Sequence, residues 1–139
     1  MSFLQLIKIE KHIWLKIILI IYVLSFLAAF YNHFSDLIKY GFFPYQKLNI
    51  HVPPWLNVYW TLLTVFDLGA IIIIIKNIVI GLWVFLVIII SDVLINYSFV
   101  ILNYGILGWL NFGQICQLLF MILVLITFLP IKRRIRELR

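Results

Sequence analysis

The chain has 139 residues, of which 65% are hydrophobic and only 12% charged, with a mean hydropathy of +1.16 and a formal net charge of +6. A soluble domain is closer to half apolar and a quarter charged, and a small fold cannot bury such an excess of apolar surface. The composition therefore excludes a water-soluble enzyme, a secreted disulfide scaffold and a disordered chain. It predicts an integral membrane protein of one compact domain.

Four apolar segments have the length that a membrane-spanning helix requires, which is roughly 17–25 residues. They cover about residues 13–30, 55–75, 78–102 and 108–129. The second begins after Pro53–Pro54, where proline suits a helix start, and the fourth ends at Pro130. The sequence predicts an all-α fold in which four transmembrane helices form one bundle. An outer loop is expected over about 31–54 and a basic tail over 130–139.

Lysine and arginine are distributed unevenly between the two sides of these segments. Nine of the eleven lie on one side, namely Lys8, Lys11, Lys16, Lys76, Lys132, Arg133, Arg134, Arg136 and Arg139. Cytoplasmic segments of membrane proteins carry such an excess, so both termini are predicted to be cytoplasmic. Abundant isoleucine and scarce alanine indicate an AT-rich coding sequence. In a bacterial source, this would be a multi-pass protein of the cytoplasmic membrane.

The sequence lacks the motifs of metal and nucleotide sites. The three histidines (His12, His33 and His51) do not have metal-ligand spacing, and no glycine-rich phosphate loop is present. The single cysteine, Cys116, cannot form an intrachain disulfide and is expected to pack in the core. We predict no metal, no cofactor and no nucleic-acid partner, assign no catalytic residue, and expect a protein that is not an enzyme. Membrane lipids are the expected partners of its positive charge.

Two carboxylates lie in the middle of predicted spans. Asp67 is in the second and Asp92 is in the third, and no lysine or arginine lies mid-span to pair with either of them. Ionisable groups inside a membrane are costly, usually face the bundle interior and often mark a function. Each aspartate is therefore expected either to accept hydrogen bonds from neutral partners or to receive a cationic ligand.

Other polar residues recur at helical spacing around the two aspartates. The stripes contain Thr61 and Thr64 before Asp67, Asn96 and Asn103 after Asp92, and Asn111, Gln114 and Gln117 in the fourth span. They predict a polar pocket in the outer half of the bundle, lined by Asp67, Asp92, Asn96, Thr64, Gln114 and Gln117. Asp36, just beyond the first span, either caps a short helix or closes the pocket. The amides and threonines have an alternative role as interhelical hydrogen-bonding groups.

Tryptophan and glycine are expected to have structural roles. Trp55, Trp60, Trp83 and Trp109 lie near the ends or faces of the spans, where this residue type anchors chains at the membrane–water interface. Gly69, Gly81, Gly105, Gly108 and Gly113 are expected to allow close packing or turns.

The first half of the chain resembles the EXPERA superfamily of emopamil-binding-like four-helix membrane proteins. The resemblance lies in the long first outer loop, in SDLIKYGFFP after the first span, and in VPPWLNVYWTLLTVFDLG leading into the second. It implies that Asp36 and Asp67 line a cavity for lipophilic amines or sterols, and it assigns no counterpart to Asp92. The layout is almost as similar to that of small bacterial DoxX-like proteins.

Three functions are compatible with these features. The first is the binding of a sterol-, isoprenoid- or amine-like lipophilic ligand in the outer-half pocket. The second is an accessory or immunity-type role, in which the protein binds a membrane-protein partner or a second copy of itself. The third is ion- or proton-coupled transport by an oligomer, since one chain of this size is too small to form a two-fold pathway.

Overall fold

The computed structural model describes residues 1–44 and 52–138, and in these ranges the chain folds into helices without strands. The helices are α1 (Phe3–Ile9), α2 (Ile13–Tyr40), α3 (Pro54–Lys76), α4 (Ile78–Tyr104) and α5 (Phe112–Glu137), with a 3₁₀ helix over Ile106–Leu110 before α5. Helices α2 to α5 are each long and apolar enough to cross a membrane. The predicted all-α bundle with four such helices is confirmed, and it fits an integral membrane protein.

Helix α2 is longer than predicted. It continues past Phe30 to Tyr40 and ends at Gly41, which has a positive φ of 81°. The prediction of a loop from residue 31 onward is therefore wrong for residues 31–40, because this segment contains no proline or glycine that would stop a helix. Residues 45–51 of that predicted loop lie outside the described residues. At 28 residues, α2 is about 42 Å long and matches a whole bilayer with its head groups.

Helix α5 also departs from the predicted bounds. The residues from Gly108 to Leu110 are 3₁₀ helix, and α5 begins after Asn111, whose side chain accepts a hydrogen bond from the Gln114 N–H. At its other end, α5 continues through Pro130 to Glu137. Proline removes one backbone hydrogen bond but keeps a helical φ, and the arginines that follow are good helix formers. Residues 130–137 of the predicted tail are therefore helical.

The helices pack in chain order, so that α2 contacts α3, α3 contacts α4 and α4 contacts α5. Helices α2 and α5 meet near an aromatic cluster. There, Phe26 stacks on Phe85 with ring centroids 3.8 Å apart, and Phe120 packs edge-on against Tyr22. The Tyr22 hydroxyl also hydrogen-bonds to Thr127 of α5. This cluster is part of the main hydrophobic core.

The start of the chain packs against one end of the bundle, here called the basal end. The Ile78 N–H donates to the Met1 carbonyl oxygen, and the Leu6 side chain of α1 is fully buried. Between α1 and α2, the buried carboxylate of Glu10 accepts from Arg134 Nε of α5 at 2.9 Å. The first residues, the α3–α4 turn and the end of α5 thus share the basal end. That this end faces the cytoplasm stays a prediction.

The ion pair between Glu10 and Arg134 is expected to stabilise the basal end in a pH-dependent way. The hydrogen bond from Arg134 lowers the pKa of Glu10 to about 2, below the ordinary value of 4.5. Because this pKa is lowered by folding, the stabilisation is complete at neutral pH and declines as the pH falls from about 4.5 toward 2. We expect Glu10→Gln to lower the free energy of unfolding at pH 7 by about 1.5–3 kcal/mol.

The matched control is Glu137→Gln, which removes the exposed carboxylate that contacts the same guanidinium at 3.1 Å. An exposed pair of this kind contributes less than about 1 kcal/mol. Thermal unfolding of the detergent-purified variants at several pH values measures both effects. Equal losses in the two variants, or a pH-independent loss in Glu10→Gln, would contradict the assignment.

Helices α3 and α4 approach each other most closely at Gly81. A Cβ atom added at Gly81 would overlap the backbone of Ile74, whereas one added at Gly69 would meet open space. We expect Gly81→Ala to destabilise the protein by about 1–3 kcal/mol because the helices must move apart. Gly69→Ala should be neutral or stabilising by up to about 1 kcal/mol, since alanine is the better helix former. Melting temperatures of the two variants compare these effects, and a stable Gly81→Ala variant would argue against the close contact.

Candidate ligand-binding cavity

A cavity of about 570 Å³ lies between α2 and α5 on the far side of the aromatic cluster from the basal end. Its apolar wall contains Phe26, Ala28 and Ala29 of α2, Ile88 and Ile89 of α4, and Phe112 and Phe120 of α5. Its polar wall includes Asp67 of α3 and Asp92 of α4. These two aspartates lie about 14 Å from Lys76 and about 21 Å from Ile78 along their helices. Both depths are within the roughly 30 Å hydrocarbon core of a bilayer.

The structure brings some of the predicted pocket residues together and separates others. Asp67, Asp92, Gln114 and Gln117 all line the cavity. Asn96 is buried behind this wall and touches Asp92. Thr64, also buried, precedes Asp67 by one helical turn but does not line the cavity. Asp36 is half-buried near the end of α2 and does not line it either.

Asp92 is the centre of a hydrogen-bonded network that joins three helices. Asn96 Nδ2 donates to Asp92 Oδ1 at 2.9 Å, and Gln117 Nε2 of α5 donates to Asp92 Oδ2 at 2.6 Å. Trp60 Nε1 of α3 donates to Asn96 Oδ1 at 2.6 Å. Each oxygen of this carboxylate therefore has an amide donor, as a carboxylate inside a membrane requires. We call these four residues the Asp92 network.

Asp67 has a different environment, although it lines the same cavity. Its side chain is only 3% exposed, and its Oδ2 atom has no hydrogen-bond donor among the described residues. The nearest basic atom is His33 Nε2 of α2, at 4.0 Å, and this imidazole has a buried Nδ1 that is likewise without a partner. A buried carboxylate oxygen without a donor is energetically costly unless a ligand or a bound molecule supplies one.

A third polar atom without a hydrogen bond lies in the wall that α5 contributes. Gln114 Oε1 is buried and lacks a donor in the described part of the chain, while its backbone carbonyl accepts from the Tyr97 hydroxyl at 3.0 Å. Asp67, His33 and Gln114 come from three helices and line one cavity. The carboxylate oxygen of Asp67 and the amide oxygen of Gln114 can only accept hydrogen bonds. The cavity therefore favours a ligand that carries N–H or O–H donors.

The sequence analysis missed three polar residues of α2 that line the cavity, namely Ser25, Asn32 and His33. The first span was predicted to end at Phe30, so His33 was placed in a loop and its depth in the membrane was not recognised. One signal was available, since His33 and Asp36 are three residues apart and a continuing helix would place both on one face.

Two side chains have environments that differ from those predicted. Trp60 was expected to anchor the chain at the membrane interface, but it is buried and belongs to the Asp92 network. Cys116 was expected in the core, but it is exposed and lines the cavity. The cause is the same for both, because one helix sequence does not show which of its faces the other helices cover.

Among the described residues, no group of three or more histidine, cysteine, aspartate or glutamate side chains could hold a metal ion. Comparisons with protein-family models, curated proteins and solved structures find no match for this chain. The resemblances to EXPERA and DoxX-like proteins therefore stay predictions.

The different environments of the two aspartates predict opposite effects of the same substitution. Asp92→Asn replaces a carboxylate oxygen by an NH₂ group that faces an amide donor. We expect this substitution to lower the free energy of unfolding by about 1.5–3 kcal/mol. Asp67→Asn breaks no hydrogen bond to Oδ2 and removes a charge that is costly to bury, so its stability should equal or exceed that of the wild type. Melting temperatures in detergent without ligand test this, and equal destabilisation by both substitutions would contradict it.

Proposed function

We propose that this integral membrane protein binds a lipophilic ligand in the cavity between α2 and α5, with Asp67 receiving the polar group of the ligand. The observation that carries the proposal is the Oδ2 atom of Asp67, which is buried in the wall of this cavity and receives no hydrogen bond from the described residues. In a membrane such an atom is costly, and a ligand with a donor group removes that cost.

The cavity walls define the chemistry of the ligand. The volume of about 570 Å³ is in the range of small-molecule pockets, which are mostly apolar with a few placed polar groups. The aromatic and aliphatic wall suits the body of a sterol, an isoprenoid or a hydrophobic amine. Asp67 and Gln114 then accept from an ammonium or hydroxyl group, and His33 either accepts or donates according to its tautomer. The Asp92 network holds the polar wall of the cavity in place. Both oxygens of Asp92 already accept hydrogen bonds from the protein, so this carboxylate does not require a ligand.

The test is thermal unfolding of the detergent-purified protein against a panel of sterols, isoprenoids and hydrophobic amines. A ligand at 100 times its Kd stabilises the folded state by about 2.7 kcal/mol, so the melting temperature of the wild type should rise. Asp67→Asn should abolish the rise. Asp36→Asn is the matched control. It removes a carboxylate from the end of α2, and this carboxylate does not line the cavity. This variant should respond as the wild type does.

Cys116 supplies a second readout within the cavity. It is the single cysteine of the chain and is exposed in the cavity wall, so alkylation by N-ethylmaleimide reports on access to the cavity. A bound ligand should slow this reaction in the wild type and not in Asp67→Asn. A compound that raises the melting temperature of both proteins equally binds elsewhere. If no compound raises the melting temperature or protects Cys116, the proposal is wrong.

A further inference from the structure

A second groove, with a volume of about 360 Å³, lies at the basal end and shares no residue with the cavity. It is formed by Trp14 at the start of α2 and by Leu129, Pro130, Arg133, Arg134 and Glu137 near the end of α5. Nothing in the proposed function uses this groove.

The groove changes from apolar to charged along α5. Leu129, Arg133 and Glu137 follow each other at intervals of four residues, so they lie on one face of the helix. Leu129 is 67% exposed and Trp14 is 42% exposed, which gives the groove an open apolar part. Arg133, one turn nearer the helix end, is also exposed. Over about 6 Å along α5, from Leu129 to Arg133, the groove thus passes from a lipid-like to a cationic surface.

The carboxylates that the structure describes at the basal end pair with Arg134 and not with Arg133. Both nearby carboxylates contact Arg134, with Glu10 Oε2 at 2.9 Å and Glu137 Oε2 at 3.1 Å. In the part of the chain that the structure describes, Arg133 makes no ion pair. Among the described residues, the other lysines and arginines on this side of the bundle are Lys8, Lys11, Lys16, Lys76, Lys132 and Arg136. The groove is therefore open to an anion, although Glu137 lies in its wall.

We propose that this groove binds an anionic glycerophospholipid. The phosphate is placed at Arg133, with Arg134 held behind it by the two glutamates, because guanidinium groups form strong charge-assisted hydrogen bonds with phosphate. The acyl region lies along Leu129 and Trp14, since tryptophan is favoured at the boundary between hydrocarbon and head groups. A free phosphate would gain nothing from this apolar part, so a membrane lipid is the occupant. Basic grooves between transmembrane helices are known to bind such head groups.

The experiment is native mass spectrometry of the full chain in detergent with dioleoyl phosphatidylglycerol, and with dioleoyl phosphatidylcholine as the neutral reference. The wild type should retain one phosphatidylglycerol in preference to phosphatidylcholine. Arg133→Gln should weaken this binding about tenfold, because it removes a charge-assisted hydrogen bond to the phosphate. Arg136→Gln is the matched control, because Arg136 is exposed on the same helix but does not line the groove. Its effect should be less than about twofold.

Three outcomes would overturn the proposal. Equal weakening by both substitutions would show a diffuse attraction to the basal charges, and equal retention of the two lipids would show no selectivity for an anion. Displacement of phosphatidylglycerol by excess inorganic phosphate would show that the apolar part of the groove does not contribute. Because Arg133 is exposed and makes no ion pair with any described residue, Arg133→Gln is expected to keep the wild-type melting temperature, so a loss of binding will not reflect unfolding.

Discussion

The hydrogen bonds to the Asp92 carboxylate are the interaction on which the rest of the bundle depends. No water is available in a hydrocarbon core, so a charge placed there needs donors from the protein itself. Asn96 and Gln117 supply them, and Trp60 connects Asn96 to α3. The network fixes α5 against α4 and α3 at the depth of Asp92. Helix α2 has no part in it and reaches α5 mainly at the aromatic cluster, which leaves the cavity between these two helices.

The two buried aspartates show how one residue type has two roles in one wall. Asp92 has an amide donor for each oxygen, so it adds to the cohesion of the bundle. Asp67 faces His33 at 4.0 Å, and its Oδ2 atom has no hydrogen-bond donor in the described part of the chain. If both carboxylates served cohesion, a donor near Asp67 would be expected, because a buried acceptor left unpaired is costly. The contrast therefore supports a ligand at Asp67 and a structural role for Asp92, a distinction that residue type alone does not make.

The helices could be predicted from the sequence because long apolar segments have few alternatives in a membrane. Hydropathy shows where an apolar segment ends and not where its helix ends. For this reason the predicted helix ends at Phe30 and Leu129 were too early, since α2 continues to Tyr40 and α5 to Glu137. Within one helix, the spacing of four residues correctly paired Asp92 with Asn96. Contacts between helices depend on how each helix is rotated in the bundle, and four nearly uniformly apolar helices carry little information about that rotation. The contact between His33 and Asp67, and the burial of Trp60, were for this reason beyond the sequence.

The basal end of the bundle is well packed, whereas the other half contains the cavity between α2 and α5. This difference gives a physical reason for placing the ligand in the cavity. At the basal end, Glu10 pairs with Arg134, and no buried side-chain polar atom of the described residues there lacks a hydrogen bond. Among the described residues, the buried side-chain atoms that lack hydrogen bonds include those of Asp67, His33 and Gln114, which border the cavity in the other half. Unpaired atoms in a packed core would only destabilise it, whereas atoms beside an open volume can be paired by a molecule that enters. A ligand with donor groups at this depth would therefore stabilise the half of the bundle that its own side chains leave incomplete.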